Sequence, residues 1–138
     1  MSDILDDFTT IEEIPVRWGD MDARGHVNNT LYLRYFESSR IALFRDLKLY
    51  EEPTQIKVGP ILSFQSCHYK APLTYPDTIY VGAKIEEIEG SKIIIKHSIV
   101  SKKLKSTVAE GEAHLIWYDY DNQIRSNISE DLRQKLLK

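Results

Sequence analysis

Apolar residues follow one period before position 20 and another after position 28. From Ile14 to Trp18 every second residue is apolar, and a period of two predicts a first strand. From Asn29 to about Leu47 apolar residues recur at helical spacing over most of the circumference, and neither glycine nor proline interrupts them. Such a helix must be buried on several sides, so the rest of the chain is expected to wrap around it.

The chain after this helix consists of strand-like segments separated mostly by short turns. A turn at Gly59-Pro60 precedes the first of them, and Gly111 in the last would let the helix approach the sheet closely. Ser129 is placed to cap a short terminal helix. This order indicates an α+β fold in which an antiparallel sheet curls around one helix and leaves an edge strand for pairing with a second copy. The expected elements are strands at 61–70, 79–86, 92–101 and 106–118 and a helix at 129–137.

Composition narrows the class of protein. The 138 residues favour a single domain, 1–138, and a formal net charge of −3 argues against a basic nucleic-acid surface. The single cysteine, Cys67, excludes an intramolecular disulfide, and no apolar run approaches the length of a membrane span. The acidic first ten residues lack the apolar core of a signal peptide, so a cytoplasmic protein is expected. The histidines share no ligand motif, and neither a metal nor an organic cofactor is expected.

The stretch DMDARGHVNN, at positions 20–29, crowds polar groups between the first strand and the helix. The first backbone N–H groups of a helix are unpaired and lie at its positive end, so the N–H of Asn29 can stabilise an oxyanion. Asn28 is the expected helix N-cap, and Gly25 permits a tight turn before it. Asp20 is expected to be a turn or capping carboxylate.

The segment RWGDMDARGHVNNTLYLRYFESSR (17–40) resembles the 4-hydroxybenzoyl-CoA thioesterase-like acyl-CoA thioesterases of the hotdog fold. The shared pattern is Asp-x-Asp, two residues, Gly, and a polar step into a helix that carries tyrosine. The segment SFQSCHYKAPLTYPDTI (63–79) is a second, less specific match. The resemblance implies a curled antiparallel sheet of about five strands around one long central helix. It also implies hydrolysis of an acyl-CoA, or of an acyl carrier protein thioester, in a homodimer or dimer of dimers whose interface forms the site.

The resemblance gives the chemical role to Asp22, which from residue type alone is most simply an Asx turn. Asp22 would be a nucleophile that forms a mixed anhydride or a general base that activates water, and both remain open. His26 either supports the loop or contacts the thioester and orients Asp22. Loop support is preferred because the chemistry needs only a carboxylate and an amide. Tyr32 either packs in the core or lines the acyl pocket.

Further residues are assigned around this centre. Glu37, on the helix, is a reserve catalytic carboxylate or the structural partner of Arg40. Ser63 is expected to face the site from the second strand, and Lys92 is expected to contact a CoA phosphate. Cys67 is expected to be a small buried side chain rather than a nucleophile.

Two other functions remain open on the same fold. An enoyl-CoA hydratase or dehydratase would use a carboxylate and a histidine, here Asp22 and His26. A non-catalytic acyl-CoA binding module would use the same pocket without turnover, since a fold alone does not establish catalysis.

Overall fold

A computed structural model describes residues 2–49 and 58–137 of the chain. Within them, 3₁₀ turns at Ser2–Leu5 and Trp18–Asp20 accompany the strands and α-helices. None of the helices in these two ranges combines the length and apolar character needed to cross a membrane. In chain order the elements are β1 (Thr10–Pro15), α1 (Asn29–Asp46), β2 (Val58–Tyr69), β3 (Thr78–Glu89), β4 (Lys92–Ser101), β5 (Ser106–Asp119), β6 (Ile124–Arg125) and α2 (Glu130–Leu136).

The strands form one antiparallel sheet in the order β1-β3-β4-β5-β2, and the short β6 pairs with the end of β5. β1 and β2 are the two edges, so the sheet is not closed into a barrel. α1 packs against β1, β2, β3 and β4. This is the predicted α+β arrangement, with a curled antiparallel sheet around one long helix.

Most element boundaries agree with the sequence prediction. The helix at 29–47 and the strands at 92–101 and 106–118 are confirmed to within a residue at each end. Ser129 caps α2, because its side chain accepts the N–H of Leu132 at 3.2 Å. β3 continues beyond the predicted 79–86, since a register shift between Ile85 and Glu87 breaks the period of two without ending the strand.

Two local predictions are wrong. The first strand ends at Pro15, and Trp18 instead begins a 3₁₀ turn with 74 % of its surface exposed. The strand stops because the Asp20 carboxylate accepts the Arg17 N–H at 3.0 Å, which turns the chain away from the sheet. Gly59-Pro60 is not a turn: both residues lie in β2, whose edge position tolerates a proline without an N–H.

The close approach of α1 to the sheet depends on Gly111 in β5, as predicted. A Cβ at this position would lie 2.7 Å from the Phe36 ring of α1 and would collide with the backbone carbonyl oxygen of Ser66 on β2. Phe36 is completely buried. The absence of a side chain at Gly111 therefore allows the helix to pack closely against the sheet near the edge strand.

A buried polar cluster joins α1 to the centre of the sheet. His97, on β4, stacks on Phe36 with ring centroids 4.8 Å apart. Its Nδ1 lies 3.1 Å from the Gly82 carbonyl oxygen and 2.9 Å from the Ser39 hydroxyl, while Nε2 lies 3.4 Å from Nη1 of Arg40. A carbonyl can only accept and a guanidinium can only donate, so the ring is neutral with its proton on Nδ1. Burial, reinforced by the Arg40 charge, lowers the pKa of His97 to about 3.

Candidate active site

Asp20 organises the loop that leads into α1. It is 5 % exposed, and its Oδ2 accepts the Tyr35 hydroxyl at 2.9 Å and the Arg17 N–H at 3.0 Å. Its backbone carbonyl accepts the Asn28 N–H at 3.0 Å. Asp20 is therefore the turn and capping carboxylate that the sequence predicts.

Asp22 lies on the exposed side of the same loop, at the tip of a tight turn. Its Oδ1 accepts the Arg24 N–H at 2.9 Å, which makes the predicted Asx turn. The Gly25 N–H donates to the Asp22 carbonyl oxygen at 3.0 Å, and Gly25 adopts φ +80°, a conformation that favours glycine. The Asp22 N–H in turn donates to the His26 carbonyl oxygen at 2.9 Å. Asp22 and His26 thus lie opposite each other, both exposed to solvent.

The N-terminus of α1 presents an open amide. Asn28 is the N-cap, as predicted, and its Oδ1 accepts the Thr30 N–H at 2.9 Å and the Thr30 hydroxyl at 2.6 Å. No atom in the described part of the chain accepts a hydrogen bond from the Asn29 N–H, which belongs to the first residue of the helix. Asn29 is an exposed residue, and its N–H at the positive end of the helix can stabilise negative charge on an oxygen.

A pocket of about 360 Å³ opens beside this amide. Tyr69, at the end of the edge strand, donates its hydroxyl to the Asn29 carbonyl oxygen at 3.0 Å. The ring of Tyr69 meets the ring of Tyr32 edge to face at 4.9 Å, so two tyrosines form one wall. The lining residues are Val27, Asn29, Tyr32, Tyr69, Lys70, Ala71 and Pro72.

Tyr32 packs in the core and also borders this pocket. Its ring is 3 % exposed, and its hydroxyl accepts the Leu73 N–H at 3.2 Å and donates to the Ala71 carbonyl oxygen at 3.4 Å. The residue also lines the pocket. Through these two hydrogen bonds, its hydroxyl fixes the loop after β2, and this loop forms part of the pocket wall.

Two tyrosine hydroxyls of the pocket and the nearby Cys67 thiol have raised pKa values. Burial raises the pKa values of the Tyr32 and Tyr69 hydroxyls, so both remain neutral hydrogen-bond donors. Burial also raises the pKa of the half-buried Cys67 thiol, which disfavours the nucleophilic thiolate. Cys67 is thus not fully buried as predicted, but its thiol is held in the unreactive form.

The other sequence-assigned residues lie away from this pocket. Glu37 is exposed, and its carboxylate lies 3.7 Å from Nε of Arg34, whereas its predicted structural partner was Arg40. Tyr69 and Ile99 are level with each other across β5, so Ile99 marks the end of the sheet at which the pocket lies. Lys92 is roughly 23 Å from Ile99 along β4, at about 3.3 Å per strand residue, and therefore lies at the opposite end of the sheet.

Ser63 lies on β2 at the register shift between Leu62 and Phe64. Its hydroxyl donates to the His114 carbonyl oxygen on β5 at 3.1 Å rather than lining the tyrosine pocket. The prediction that Ser63 faces the site was based on strand alternation, which the shift interrupts.

Two pocket residues with polar side chains were not assigned from the sequence. Tyr69 and Lys70 line the pocket at the end of the edge strand. Both are far from the Asp-x-Asp stretch in the sequence. The match at 63–79 included them, but only the pairing of β2 with β5 brings them level with the start of α1. Among the described residues, no group of three His, Cys, Asp or Glu side chains is placed to hold a metal.

Comparison with known proteins identifies the family. The sequence profile of the thioesterase-like superfamily matches residues 16–136. The long-chain acyl-CoA thioesterase FadM of Escherichia coli (strain K12) is 22% identical over 124 residues, which cover 90% of this chain and 94% of FadM. YneP of Bacillus subtilis (strain 168), a candidate acyl-CoA thioesterase, is 28% identical over 106 residues, covering 75% of this chain and 76% of YneP.

A solved structure shows the same fold. PA2801, a candidate thioesterase from Pseudomonas aeruginosa, superposes with a TM-score of 0.83 at 30% identity, covering 93% of this chain and 98% of PA2801. The hotdog arrangement of sheet and helix expected from the sequence is therefore confirmed. Because the superfamily profile spans the Asp22 turn, the helix α1 and strands β2 to β6, the chain belongs to the thioesterase-like superfamily.

Proposed function

We propose that the protein hydrolyses acyl-CoA thioesters to a carboxylic acid and free CoA. The observation that carries this proposal is the open Asn29 N–H at the start of α1, beside a pocket and after the tight turn that holds Asp22. The names of FadM and YneP support the same activity. Residues 1–138 form a single domain in this proposal.

The proposed chemistry uses one amide and one carboxylate. The thioester carbonyl oxygen accepts the Asn29 N–H, which stabilises the oxyanion as the carbonyl carbon becomes tetrahedral. As a general base, Asp22 takes a proton from water while the water oxygen bonds to that carbon. The carbon–sulfur bond then breaks, and the CoA thiolate leaves and takes up the proton. As a nucleophile, Asp22 bonds to the carbon itself, and the carbon–sulfur bond breaks to release the CoA thiolate and leave an anhydride. Water then hydrolyses this anhydride to the carboxylic acid and restores the Asp22 carboxylate.

The remaining polar residues of the loop support this centre. Gly25 allows the turn, Asn28 caps the helix, and His26 holds the turn closed through its backbone carbonyl. Glu37 is retained as a reserve carboxylate on the exposed face of α1. The contribution of Ser63 is to fix the edge strand to β5.

A homodimer, alone or within a dimer of dimers, would complete the site through the free edge of β2. Ile61, Leu62 and Phe64 are 38 %, 40 % and 49 % exposed on this strand, an unusual concentration of apolar surface at an open edge. Antiparallel pairing of two β2 edges would bring opposite ends of the two sheets together. Lys92 of the partner subunit would then approach the Asn29 end, where a CoA phosphate or an acyl carrier protein can be bound. The half-buried free cysteine fits a cytoplasmic location.

Release of free thiol from acyl-CoA substrates tests the proposal. The purified protein is mixed with short, medium and long acyl-CoA thioesters and with an acyl carrier protein thioester, and thiol is followed with a chromogenic reagent. We expect enzyme-dependent thiol release from at least one substrate. Hydration of an enoyl-CoA without thiol release would favour the hydratase. Thermal stabilisation by acyl-CoA with no turnover of any thioester would favour the binding module.

A further inference from the structure

The β4–β5 turn carries three lysines at the end of the sheet that holds the candidate active site. Tyr69 is level with Ile99 across the sheet, and β4 continues from Ile99 to Ser101, where the turn begins. The turn and the tyrosine pocket therefore lie at the same end of the sheet. All three lysines are exposed, and they are Lys102, Lys103 and Lys105.

This end of the sheet is positively charged, whereas the chain as a whole is acidic. Three segments meet here through strand pairing, and together they contain six Lys or Arg and four Asp or Glu residues. The net charge of the whole chain is −3. A local excess of positive charge attracts an anionic ligand to that part of the surface. The three segments are 14–29, 67–79 and 98–110.

The turn lysines are not neutralised by ion pairs. Lys70, at the end of β2, lies 2.7 Å from the Glu110 carboxylate and is paired with it. In the described part of the chain, by contrast, no carboxylate forms an ion pair with the turn lysines Lys102, Lys103 and Lys105. An ammonium group without a carboxylate partner is a suitable ligand for a phosphate group.

The turn is fixed to the loop that borders the tyrosine pocket. The Asp77 carboxylate accepts the Lys103 N–H at 3.0 Å and also accepts the Ser101 hydroxyl. Nζ of Lys103 donates to the Thr74 hydroxyl at 3.1 Å. An ammonium group has three donors, so two of them remain available for a ligand. Lys103 is therefore held against the loop 71–77, whose first residues form part of the pocket wall.

The distance from the pocket to the turn matches the pantetheine arm of CoA. Lys102 is three residues beyond Ile99, about 10 Å along β4, and β4 is two strands from β2, about 10 Å across the sheet. These two perpendicular steps place the turn about 14 Å from Tyr69, whose hydroxyl meets Asn29. The pantetheine arm has the length of between four and five extended residues, about 15 Å. A thioester bound at Asn29 can therefore place its diphosphate at the turn.

Given the proposed hydrolysis of acyl-CoA, on which this step rests, we infer that the β4–β5 turn binds the phosphate groups of CoA. The ammonium group of Lys103 contacts the phosphates, and Lys102 and Lys105 add positive charge beside it. The neutral pantetheine arm crosses the loop 71–77 between the turn and the Asn29 N–H. The exposed residues of this loop carry no charge and are Pro72, Tyr75 and Pro76.

Turnover of two thioesters of one acyl group tests this inference. Acyl-CoA and acyl-pantetheine share the thioester and the arm, but only acyl-CoA carries the phosphorylated nucleotide. From thiol release we expect the wild type to show a KM about tenfold lower for acyl-CoA at similar kcat, because a charge-assisted contact contributes about a factor of ten. High salt should raise the KM for acyl-CoA and leave that for acyl-pantetheine unchanged.

The double variant Lys102→Gln/Lys103→Gln removes two charges and keeps a side-chain donor near Thr74. Its KM for acyl-CoA should rise about tenfold and lose its salt dependence. Its kcat and its turnover of acyl-pantetheine should be unchanged, which also shows that the variant is folded. Lys96→Gln/Lys135→Gln removes the same charge at exposed positions of β4 and α2 and should keep the wild-type KM for both substrates.

An unchanged KM for acyl-CoA in Lys102→Gln/Lys103→Gln would overturn the inference, as would an equal rise in the control variant or with acyl-pantetheine. A defect confined to an acyl carrier protein thioester would also overturn it, because the turn would then bind an acidic carrier protein. These results leave the proposed thioesterase function standing. Absence of thiol release from all thioesters would instead overturn the proposed function, and this inference with it.

Discussion

Asp20 and Asp22 are two residues apart and lie in opposite environments. Asp20 is buried and accepts hydrogen bonds from Tyr35 and Arg17, whereas Asp22 is exposed at the tip of the turn. The buried carboxylate fixes the loop, and the exposed one remains available to a substrate. The Asp-x-Asp pattern therefore combines a structural residue with the proposed chemical one.

Replacement of Asp20 should reduce stability. Oδ2 of Asp20 accepts both the Tyr35 hydroxyl and the Arg17 N–H, and Oδ1 lies 3.2 Å from Nη2 of Arg17. In Asp20→Asn one of these two oxygens becomes an amide donor, so either orientation of the amide loses a hydrogen bond to a donor and the charge that pairs with Arg17. We expect the free energy of unfolding to fall by about 2 kcal/mol, measured by urea denaturation. Asp121→Asn, at an exposed turn, is the control and should change stability little. Equal stability of Asp20→Asn and wild type would contradict the structural role.

Residue types predicted much of the loop but not the pocket beside it. Asn28 as N-cap, the Gly25 turn and the Asp20 capping role follow from local hydrogen-bonding rules and are confirmed. Tyr69 could not be placed, because its contact with Asn29 depends on strand pairing between distant segments. Glu37 was predicted to pair with Arg40 but lies 3.7 Å from Arg34, because arginines three residues away on either side are equally compatible with helical spacing.

At the scale of elements, the helix and the sheet are held together by close contacts at a few positions. Gly111 allows Phe36 to reach the sheet, and His97 and Ser39 form a buried polar contact beside it. The alternation of apolar residues predicted which segments form strands. The alternation wrongly predicted a strand at Trp18, where a hydrogen bond between a side chain and the backbone replaces sheet pairing.

Addition of a methyl group at Gly111 should separate α1 from the sheet. Gly111→Ala would bring its Cβ against the Ser66 backbone and the Phe36 ring, neither of which can move without shifting a strand or the helix. We expect a loss of about 3 kcal/mol or more in the free energy of unfolding, measured by chemical denaturation. Gly19→Ala is the matched control, because nothing lies within 4 Å of the added Cβ. Similar effects of the two variants would show that the close approach does not limit packing.

The buried His97 should make stability depend on pH. Its pKa is about 3 in the folded protein and about 6.5 in the unfolded chain, so the unfolded state binds an extra proton between these values. The contribution of His97 to the free energy of unfolding is therefore complete above pH 6.5 and is lost as the pH falls towards 3. We expect it to remove about 2 kcal/mol of stability between about pH 7 and pH 5.

Denaturation at both pH values measures this dependence. His97→Asn can still donate to the Gly82 carbonyl oxygen but does not titrate, so it should flatten the pH dependence. His68→Asn, at an exposed position of β2, should retain it. If the stability of His97→Asn depends on pH as strongly as that of the wild type, other groups cause the pH dependence.

At the scale of the whole molecule, the tyrosine pocket lies beside an open edge of the sheet. Tyr69 of the edge strand β2 lines this pocket. A second copy pairing along β2 would cover the apolar side chains of this edge. The sequence predicted that an edge must be covered, but the identity of the edge required the strand order.

A charge on the β2 edge should disrupt the proposed dimer. Phe64→Lys replaces a 49 % exposed aromatic side chain with a cation, which opposes edge pairing. We expect sedimentation velocity to show a shift from dimer towards monomer, with a parallel loss of thiol release. Ile124→Lys, at a 59 % exposed position of β6, is the control and should remain dimeric. A fully active dimer of Phe64→Lys would place the interface elsewhere.

The rate of thiol release by Asp22→Asn tests the central claim most directly. The substitution keeps the shape of the side chain and can keep its acceptor for the Arg24 N–H, so folding should be unchanged. It removes the carboxylate that attacks or activates water, and we predict that kcat falls by about 10²- to 10⁴-fold. Asp121→Asn should retain full activity. An Asp22→Asn protein that folds normally and releases thiol at the wild-type rate would contradict the proposed mechanism.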